Sequence, residues 1–209
     1  ALNGGYDAGQ SGVKDTLNRG ATADRGYPFG ASAIGQEEMR GEDCINIQTF
    51  FQLTYLSQYS PTTPNNVNMW NNLYAVINKA NISIAGFRTA GSSGVLTSAV
   101  ASQYEAECRF LRAMSHHELL IHFSRPFADG AGNKLGVVYR DFPIDNAASI
   151  DRAKILPRES VAACYTKMLA DLDYAETNLP ANGGTGVNTI RATKAAVIAL
   201  KMRIKQHMG

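Results

Sequence analysis

Val161-Ala162-Ala163-Cys164-Tyr165-Thr166-Lys167-Met168-Leu169-Ala170-Asp171-Leu172-Asp173-Tyr174-Ala175-Glu176-Thr177-Asn178-Leu179 is the stretch whose periodicity decides the fold. Val161, Tyr165, Met168, Leu172, Ala175 and Leu179 step by 4, 3, 4, 3 and 4, which puts all six on one stripe of an α-helix. Pro157 precedes this helix and Pro180 closes it. Downstream, the loop from Asn182 to Asn188 is rich in glycine, and a further helix is predicted from about Thr193 to Met208. Its Ala192, Ala195, Ala196 and Ala199 offer small side chains that a neighbouring helix can approach closely. Apolar residues occupy more than one side of it: Ala196, Leu200 and Ile204 on one line, Ile198 and Met202 on another. A terminal repeat would have a polar outer face, so the chain reads as truncated at its C-terminal side.

Upstream, residues 124–157 contain Pro126, Pro143, Pro157 and three glycines, and read as a long connection with a short strand at Val137-Val138-Tyr139. Before it, a helix of about 25 residues opens near Thr97 or Ser98. Its apolar face is Ala106, Phe110, Ala113, Met114, His117, Leu120 and Ile121. The first long helix has the stripe Trp70, Leu73, Tyr74, Ile77, Asn81 and Ile84, with Asn65 or Asn66 to cap it and Gly86 to end it. Residues 1–66 have no sustained period and read as a loop-rich segment with one or two short helices. Residues 67–209 then make two helical hairpins with the insertion at 124–157, within a single domain. The fold class is all-α: tetratricopeptide-like hairpins stacked as a superhelical scaffold with long loops. The insertion breaks the regular period of about 34 residues.

Composition narrows the function. Of 209 residues, 44% are apolar and 18% charged, which excludes a wholly disordered chain. A net charge of +2 gives no case for nucleic acid or an anionic membrane as partner. The basic cluster Arg191, Lys194, Lys201, Arg203 and Lys205 reads as the solvated face and last turn of a helix. Cys44, Cys108 and Cys164 are odd in number and lack CxxC spacing, so neither a disulfide framework nor a zinc site is expected.

Three apparent motifs carry no chemistry. His117-Glu118-Leu119-Leu120-Ile121-His122 spaces its histidines five apart, which turns them about 140° from each other on a helix, where four apart leaves only about 40°. On the apolar stripe, His117 reads as a core histidine with its hydrogen bonds satisfied. Gly183-Gly184-Thr185-Gly186 follows a helix and not a strand, so it is a loop and not a phosphate cradle. For the carboxylate pairs Glu37-Glu38, Glu42-Asp43 and Asp171/Asp173, nothing in the sequence distinguishes glycosidase machinery from a solvated surface, and Asp171 and Asp173 point to different faces of one helix, so they are not a catalytic dyad. No catalytic residue, no metal ligand and no cofactor is expected.

Four stretches together carry a resemblance. They are Trp70-x-x-Leu73-Tyr74-x-x-Ile77-x-x-Ala80-Asn81; Glu107-x-Arg109-Phe110-Leu111-Arg112-Ala113; Arg158-x-Ser160-Val161-x-x-x-Tyr165-x-x-Met168-x-x-Asp171-Leu172-x-x-Ala175; and Arg191-Ala192-Thr193-Lys194-x-Ala196. In this order and at these separations the chain, from about residue 40 to its end, resembles the SusD/RagB family of outer-membrane nutrient-binding lipoproteins. The resemblance implies a tetratricopeptide-like scaffold, and a ligand face built from loops away from it. Its cargo would be an oligosaccharide or other nutrient, bound without chemical change. The implied partner is a TonB-dependent outer-membrane transporter (SusC-like), and the implied location is the bacterial cell surface, through an N-terminal lipid anchor absent from this chain. Glu42-Asp43 sits where the family commonly has an acidic pair. The sequence departs from the family at Phe123-Ser124-Arg125-Pro126-Phe127, where an aromatic-Gly-x-Val-Pro turn is usual, and in its length.

Sugars bind by laying the C–H face of a ring on an aromatic platform while amides and hydroxyls take the hydroxyl groups. Between Cys44 and Tyr59, aromatic and aliphatic residues alternate with amides and hydroxyls. Tyr55, Tyr59, Gln52 and Gln58 are the candidate ligand contacts, whereas Phe50, Phe51 and Leu53 read as pinning the loop to the helices. The alternative function is a tetratricopeptide-type adaptor that binds a peptide or protein partner in its groove.

Overall fold

The computed structural model describes residues 1–11, 26–183 and 190–209; the glycine loop from Gly184 onward and the end of the Asn182–Asn188 stretch lie outside them. Eight helices are seen among the described residues: α1 Leu2–Ser11, α2 Ala31–Glu38, α3 Gln52–Tyr55, α4 Pro64–Ser92, α5 Ser98–Phe123, α6 Ala147–Lys154, α7 Val161–Asn178 and α8 Lys194–Met208. They belong to two compact units, one of residues 1–5 with 77–209 and one of residues 6–76.

The end of α1 lies with α2 and α3 in the smaller unit, where the sequence reads as loop-rich with one or two short helices. The three helices are short, at ten, eight and four residues, and carry no long apolar stripe to announce them. A buried polar thread organises this unit: the Tyr27 hydroxyl donates to Gln36 Oε1 at 2.7 Å, and Gln36 Nε2 donates to Asn66 Oδ1 at 3.1 Å. Gly30 lies so close to the Gln10 carbonyl that an added Cβ would sit 2.5 Å from its oxygen.

The helix α4 starts at Pro64, a residue suited to the first helical position because its missing N–H is an orphan there anyway. The Thr63 carbonyl accepts the Val67 N–H at 3.0 Å, and the Thr63 hydroxyl accepts the Ser60 N–H at 2.8 Å, so capping falls two residues earlier than expected. Gly86 does not end the helix, which continues through it to Ser92. Met69, Leu73, Tyr74, Val76 and Ile77 are buried, while Trp70 stays partly exposed with its ring 4.9 Å from that of Tyr74.

In the larger unit, successive long helices run antiparallel. Arg88 meets Glu105 and Asn81 meets Arg112 between α4 and α5; Arg112 meets Asp171 and His117 meets Tyr165 between α5 and α7. Lys201 of α8 reaches Asp173 and Glu176 of α7. These are the stacked hairpins that the periodicity predicts. The α7 stripe is buried throughout, Val161, Tyr165, Met168, Leu172, Ala175 and Leu179 alike. Each large apolar side chain so buried contributes about 1.5–3 kcal/mol. Hydroxyl caps open the helices: Thr97 accepts from Val100 N–H, Ser160 from Ala163 N–H and Thr193 from Ala196 N–H.

The buried surface of α5 differs from the predicted stripe. Phe110, Met114 and Ile121 are only partly covered, whereas Glu105, Glu107, Arg112, His116 and Glu118 are buried. Charged residues go inside here because they find each other. Arg112 forks onto Asp171 with Nε–Oδ2 at 2.8 Å and Nη2–Oδ1 at 2.6 Å, and its Nη1 donates to Asn81 Oδ1 at 2.7 Å. Arg109 joins Asp171 to Glu105, and Arg88 forks onto the same Glu105. The Tyr139 hydroxyl donates to Asp171 Oδ2 at 3.3 Å. Arg191 reaches the buried Glu107 at 3.2 Å and Asn3 at 3.0 Å. Of the residues that carry the family resemblance, Asn81, Arg109, Arg112 and Asp171 thus form one structural ion network, and Glu107 and Arg191 form a separate pair. The basic cluster is correspondingly not all solvated, since Arg191 and Lys201 have acidic partners.

The long connection is strapped down by side chains. Asn78 exchanges two hydrogen bonds with the backbone of Ile144, and Asn81 Nδ2 donates to the carbonyls of Arg140 and Phe142. The expected strand at Val137–Tyr139 is an extended segment with one bridge, Leu135 to Ser160, while Val137 and Tyr139 are buried. It contains instead α6, opened by an Asn146–Ser149 capping box and with no buried residue, hence no apolar period. In α8, Val197, Leu200 and Ile204 face inward. Ala195 and Ala199 are exposed, so they are not the close-approach surface, and Met202 is 68% exposed.

His117 is buried, but neither ring nitrogen has a hydrogen-bond partner. The expectation of a satisfied core histidine is corrected: its neighbours are the rings of Tyr165 and His207, with centroids at 6.1 and 5.1 Å.

Candidate functional site

The segment from Phe50 to Tyr59 is shaped by local hydrogen bonds. The single turn α3 ends with Ser57 in the left-handed region at φ 54°. Gln58 N–H donates to the Leu53 carbonyl at 2.8 Å and Ser57 N–H to the Thr54 carbonyl at 3.0 Å, the two bonds of a Schellman motif. Asn65 Nδ2 donates to the Phe50 carbonyl at 3.0 Å and ties the segment to the start of α4. Phe51 packs on Gly35 of α2, where an added Cβ would come within 3.1 Å of the ring. Phe50 meets Phe51 edge-on at 4.5 Å and stays exposed. Of the three residues read as pins, only Phe51 has that role; Leu53 is exposed, and Thr54 is buried in its place.

Tyr55 is 36% and Tyr59 46% exposed, and Gln52 and Gln58 are both exposed. The guanidinium of Arg40 lies over the Tyr59 ring, 5.4 Å from its centroid. Ile45, Ile47, Leu53 and Leu56 extend the exposed apolar surface along the same segment. Between Asn46 and Tyr59 the chain has only apolar, aromatic, amide and hydroxyl side chains. Such a surface can stack on sugar rings and exchange hydrogen bonds with hydroxyls, but it holds no ionisable acid–base pair or thiol. Glu42 and Asp43 lie just upstream, both exposed.

The acids of α7 singled out by the sequence are committed to cations. Asp171 is neutralised by Arg112 and Arg109, while Asp173, on the other side of α7, pairs with Lys201, so the two carboxylates do not face one substrate. His122 lies 3.4 Å from the Glu118 carboxylate on the next turn, apart from the buried His117. Cys108 and Cys164 are buried, and burial pushes the Cys108 thiol up to about 12, which leaves it inert as a nucleophile.

Residues 18–205 match the model of a SusD-like family described as starch-binding and associating with the outer membrane. No curated protein matches the chain. A SusD superfamily protein of Bacteroides fragilis is similar in structure at a TM-score of 0.80 and 25% identity, over 99% of this chain and 44% of that one. One from Bacteroides thetaiotaomicron gives a TM-score of 0.75 at 22% identity, over 100% of this chain and 41% of that one. A SusD-like carbohydrate-binding protein of Bacteroides vulgatus gives 0.78 at 19% identity, over 99% and 40%. The chain thus spans less than half the length of these neighbours.

Proposed function

Because the chain belongs to the SusD-like family of starch-binding proteins that associate with the outer membrane, we propose that it captures nutrient oligosaccharide at the bacterial cell surface without changing it chemically. The cargo would pass to a TonB-dependent outer-membrane transporter of the SusC type. Association with the membrane would then be through a lipid anchor, and among the described residues no helix is long and apolar enough to cross a membrane. The observation that carries the reading, within this family, is the exposed segment in which Tyr55 and Tyr59 alternate with Gln52 and Gln58.

Replacing both tyrosines by alanine tests it. Stacking on an aromatic ring contributes on the order of 1 kcal/mol, so the double variant should bind maltooligosaccharide about tenfold more weakly. Because both rings are exposed, its melting temperature should stay within a few degrees of the parent. A large fall in melting temperature would show that the rings are structural and that the platform lies elsewhere.

The same reading expects no turnover. Incubation of the purified protein with starch should release no reducing ends, and release that scales with protein amount and survives repurification would make it a hydrolase.

A further inference from the structure

An open cleft of about 580 Å³ lies at the C-terminal end of α5, where the chain turns into the long connection. Its volume is in the range of small-ligand sites. Its walls include His122, Phe123, Arg125, Lys134, Leu135 and Arg158. Three of these are permanent cations. One facing carboxylate, Asp129, holds Arg125 at 2.7 Å. Glu118 is engaged by His122 and, at 3.9 Å, by Arg203. Lys134 also acts electrostatically on Asp129, whereas Arg158 makes no ion pair among the described residues, so one carboxylate faces three cations and the positive charge left over centres on Arg158.

Among the described residues the Arg158 guanidinium donates only to carbonyls. Its Nε donates to Gly136 O at 2.5 Å, and its Nη2 donates to Leu135 O at 3.3 Å and Phe123 O at 3.4 Å. Carbonyl dipoles orient the fork without cancelling its charge, so an anion would meet a positioned group. Beside it, Leu135 is 60% exposed and Phe123 half-buried, an apolar surface next to the cations. Cationic donors beside an apolar wall suit a pyranose ring that carries an anionic substituent, with its C–H face on the wall and its anion on the fork. A neutral sugar would leave the excess charge unused.

We propose that this cleft is a subsite for an acidic sugar, an oligosaccharide bearing carboxylate or sulfate groups. The proposal rests on the carbohydrate-binding reading above and deepens it by assigning a substrate class to a second surface, distinct from the Tyr55–Tyr59 segment.

Calorimetric titration of the purified protein with trigalacturonate, maltoheptaose and sodium sulfate tests it. Trigalacturonate should bind, and more weakly as salt is raised. Lys134→Glu, a change at an exposed side chain, should weaken trigalacturonate at least about tenfold, the scale of losing a charge-assisted hydrogen bond, and leave maltoheptaose unchanged. Tyr55→Ala with Tyr59→Ala should have the opposite selectivity. Trigalacturonate binding that ignores Lys134→Glu overturns the cleft. So does sulfate binding without trigalacturonate binding, which would be an adventitious ion only. If maltoheptaose binds and trigalacturonate does not, the cleft assignment fails and the carbohydrate reading stands; if neither sugar binds, both fail.

Discussion

Asp171→Asn should cost the 77–209 unit about 3–5 kcal/mol, the range for breaking a buried ion pair by removing one partner. The loss is large because asparagine leaves the buried Arg112 guanidinium without its counter-charge, not because the pair itself is strongly favourable. Arg112 is 7% and Asp171 5% exposed at the side chain, so water cannot replace the missing partner. Arg109 also loses its charge partner on α7, though it retains Glu105 and the face of the Tyr174 ring, 4.2 Å from its guanidinium. Against a typical domain stability of about 5–15 kcal/mol, this is enough to bring the unit near its unfolding threshold. Arg112→Met combined with Asp171→Leu should recover part of the loss, since replacing both charges by apolar groups of similar size is often close to neutral. Recovery will be incomplete, because Arg112 also serves Asn81 and the Asp141 carbonyl. Urea denaturation of the parent and the two variants measures this. A cost below about 1 kcal/mol for Asp171→Asn would mean that the carboxylate is not buried as described.

The legible and illegible parts of this fold differ in how their burial is achieved. The α7 helix buries apolar residues against apolar residues, so a 3.6-residue period in the sequence suffices to find its inner face. The α5 helix buries Glu105, Glu107, Arg112 and Glu118, and a hydrophobicity pattern reads those as solvent-facing. A signal was present: Glu105, Arg109 and Arg112 recur at helical spacing, and cations so placed need an acid from another helix if that side is covered. The helix α6 buries no residue and left no period, only its capping residues. The extended segment at Leu135–Tyr139 follows from Gly136, where an added Cβ would meet Cys164 Sγ and Leu120 Cδ2 at 3.1 Å. At the candidate ligand segment, residue types pointed to Tyr55, Tyr59, Gln52 and Gln58, and all four are exposed. That Leu53 and Leu56 are exposed beside them was not legible, because a four-residue helix has too few turns to show which side is covered.

Acidification from pH 7 should destabilise the same unit steeply, because two adjacent histidines are held neutral inside it. His116 Nε2 accepts the Arg140 N–H at 3.1 Å, so the ring's proton is on Nδ1 and is donated to the Arg112 carbonyl at 3.0 Å. A second proton would abolish the acceptor. Burial, with Arg112, Lys167 and Arg140 nearby, pulls His116 down to about 3, despite the favourable carbonyl. Burial likewise pulls His117 down to about 4, opposed by Glu118 and assisted by His207, Arg203 and His122. Both groups ordinarily titrate at 6.5. Between the folded and unfolded values the unfolded chain binds more protons, so stability is complete above about pH 6.5 and falls as pH falls. Each histidine contributes a slope of up to about 1.4 kcal/mol per pH unit, and the two together approach about 3 kcal/mol per unit between roughly pH 6 and 4. His117→Leu separates the contributions. It should remove one proton's worth of the slope and, because both nitrogens of His117 lack partners, raise stability at pH 7 by about 1–3 kcal/mol. Urea melts at successive pH values for parent and variant give both quantities. A parent whose stability is flat from pH 7 to about pH 5, or a variant less stable than the parent at neutral pH, would show that these rings are solvated or hydrogen-bonded in the folded protein.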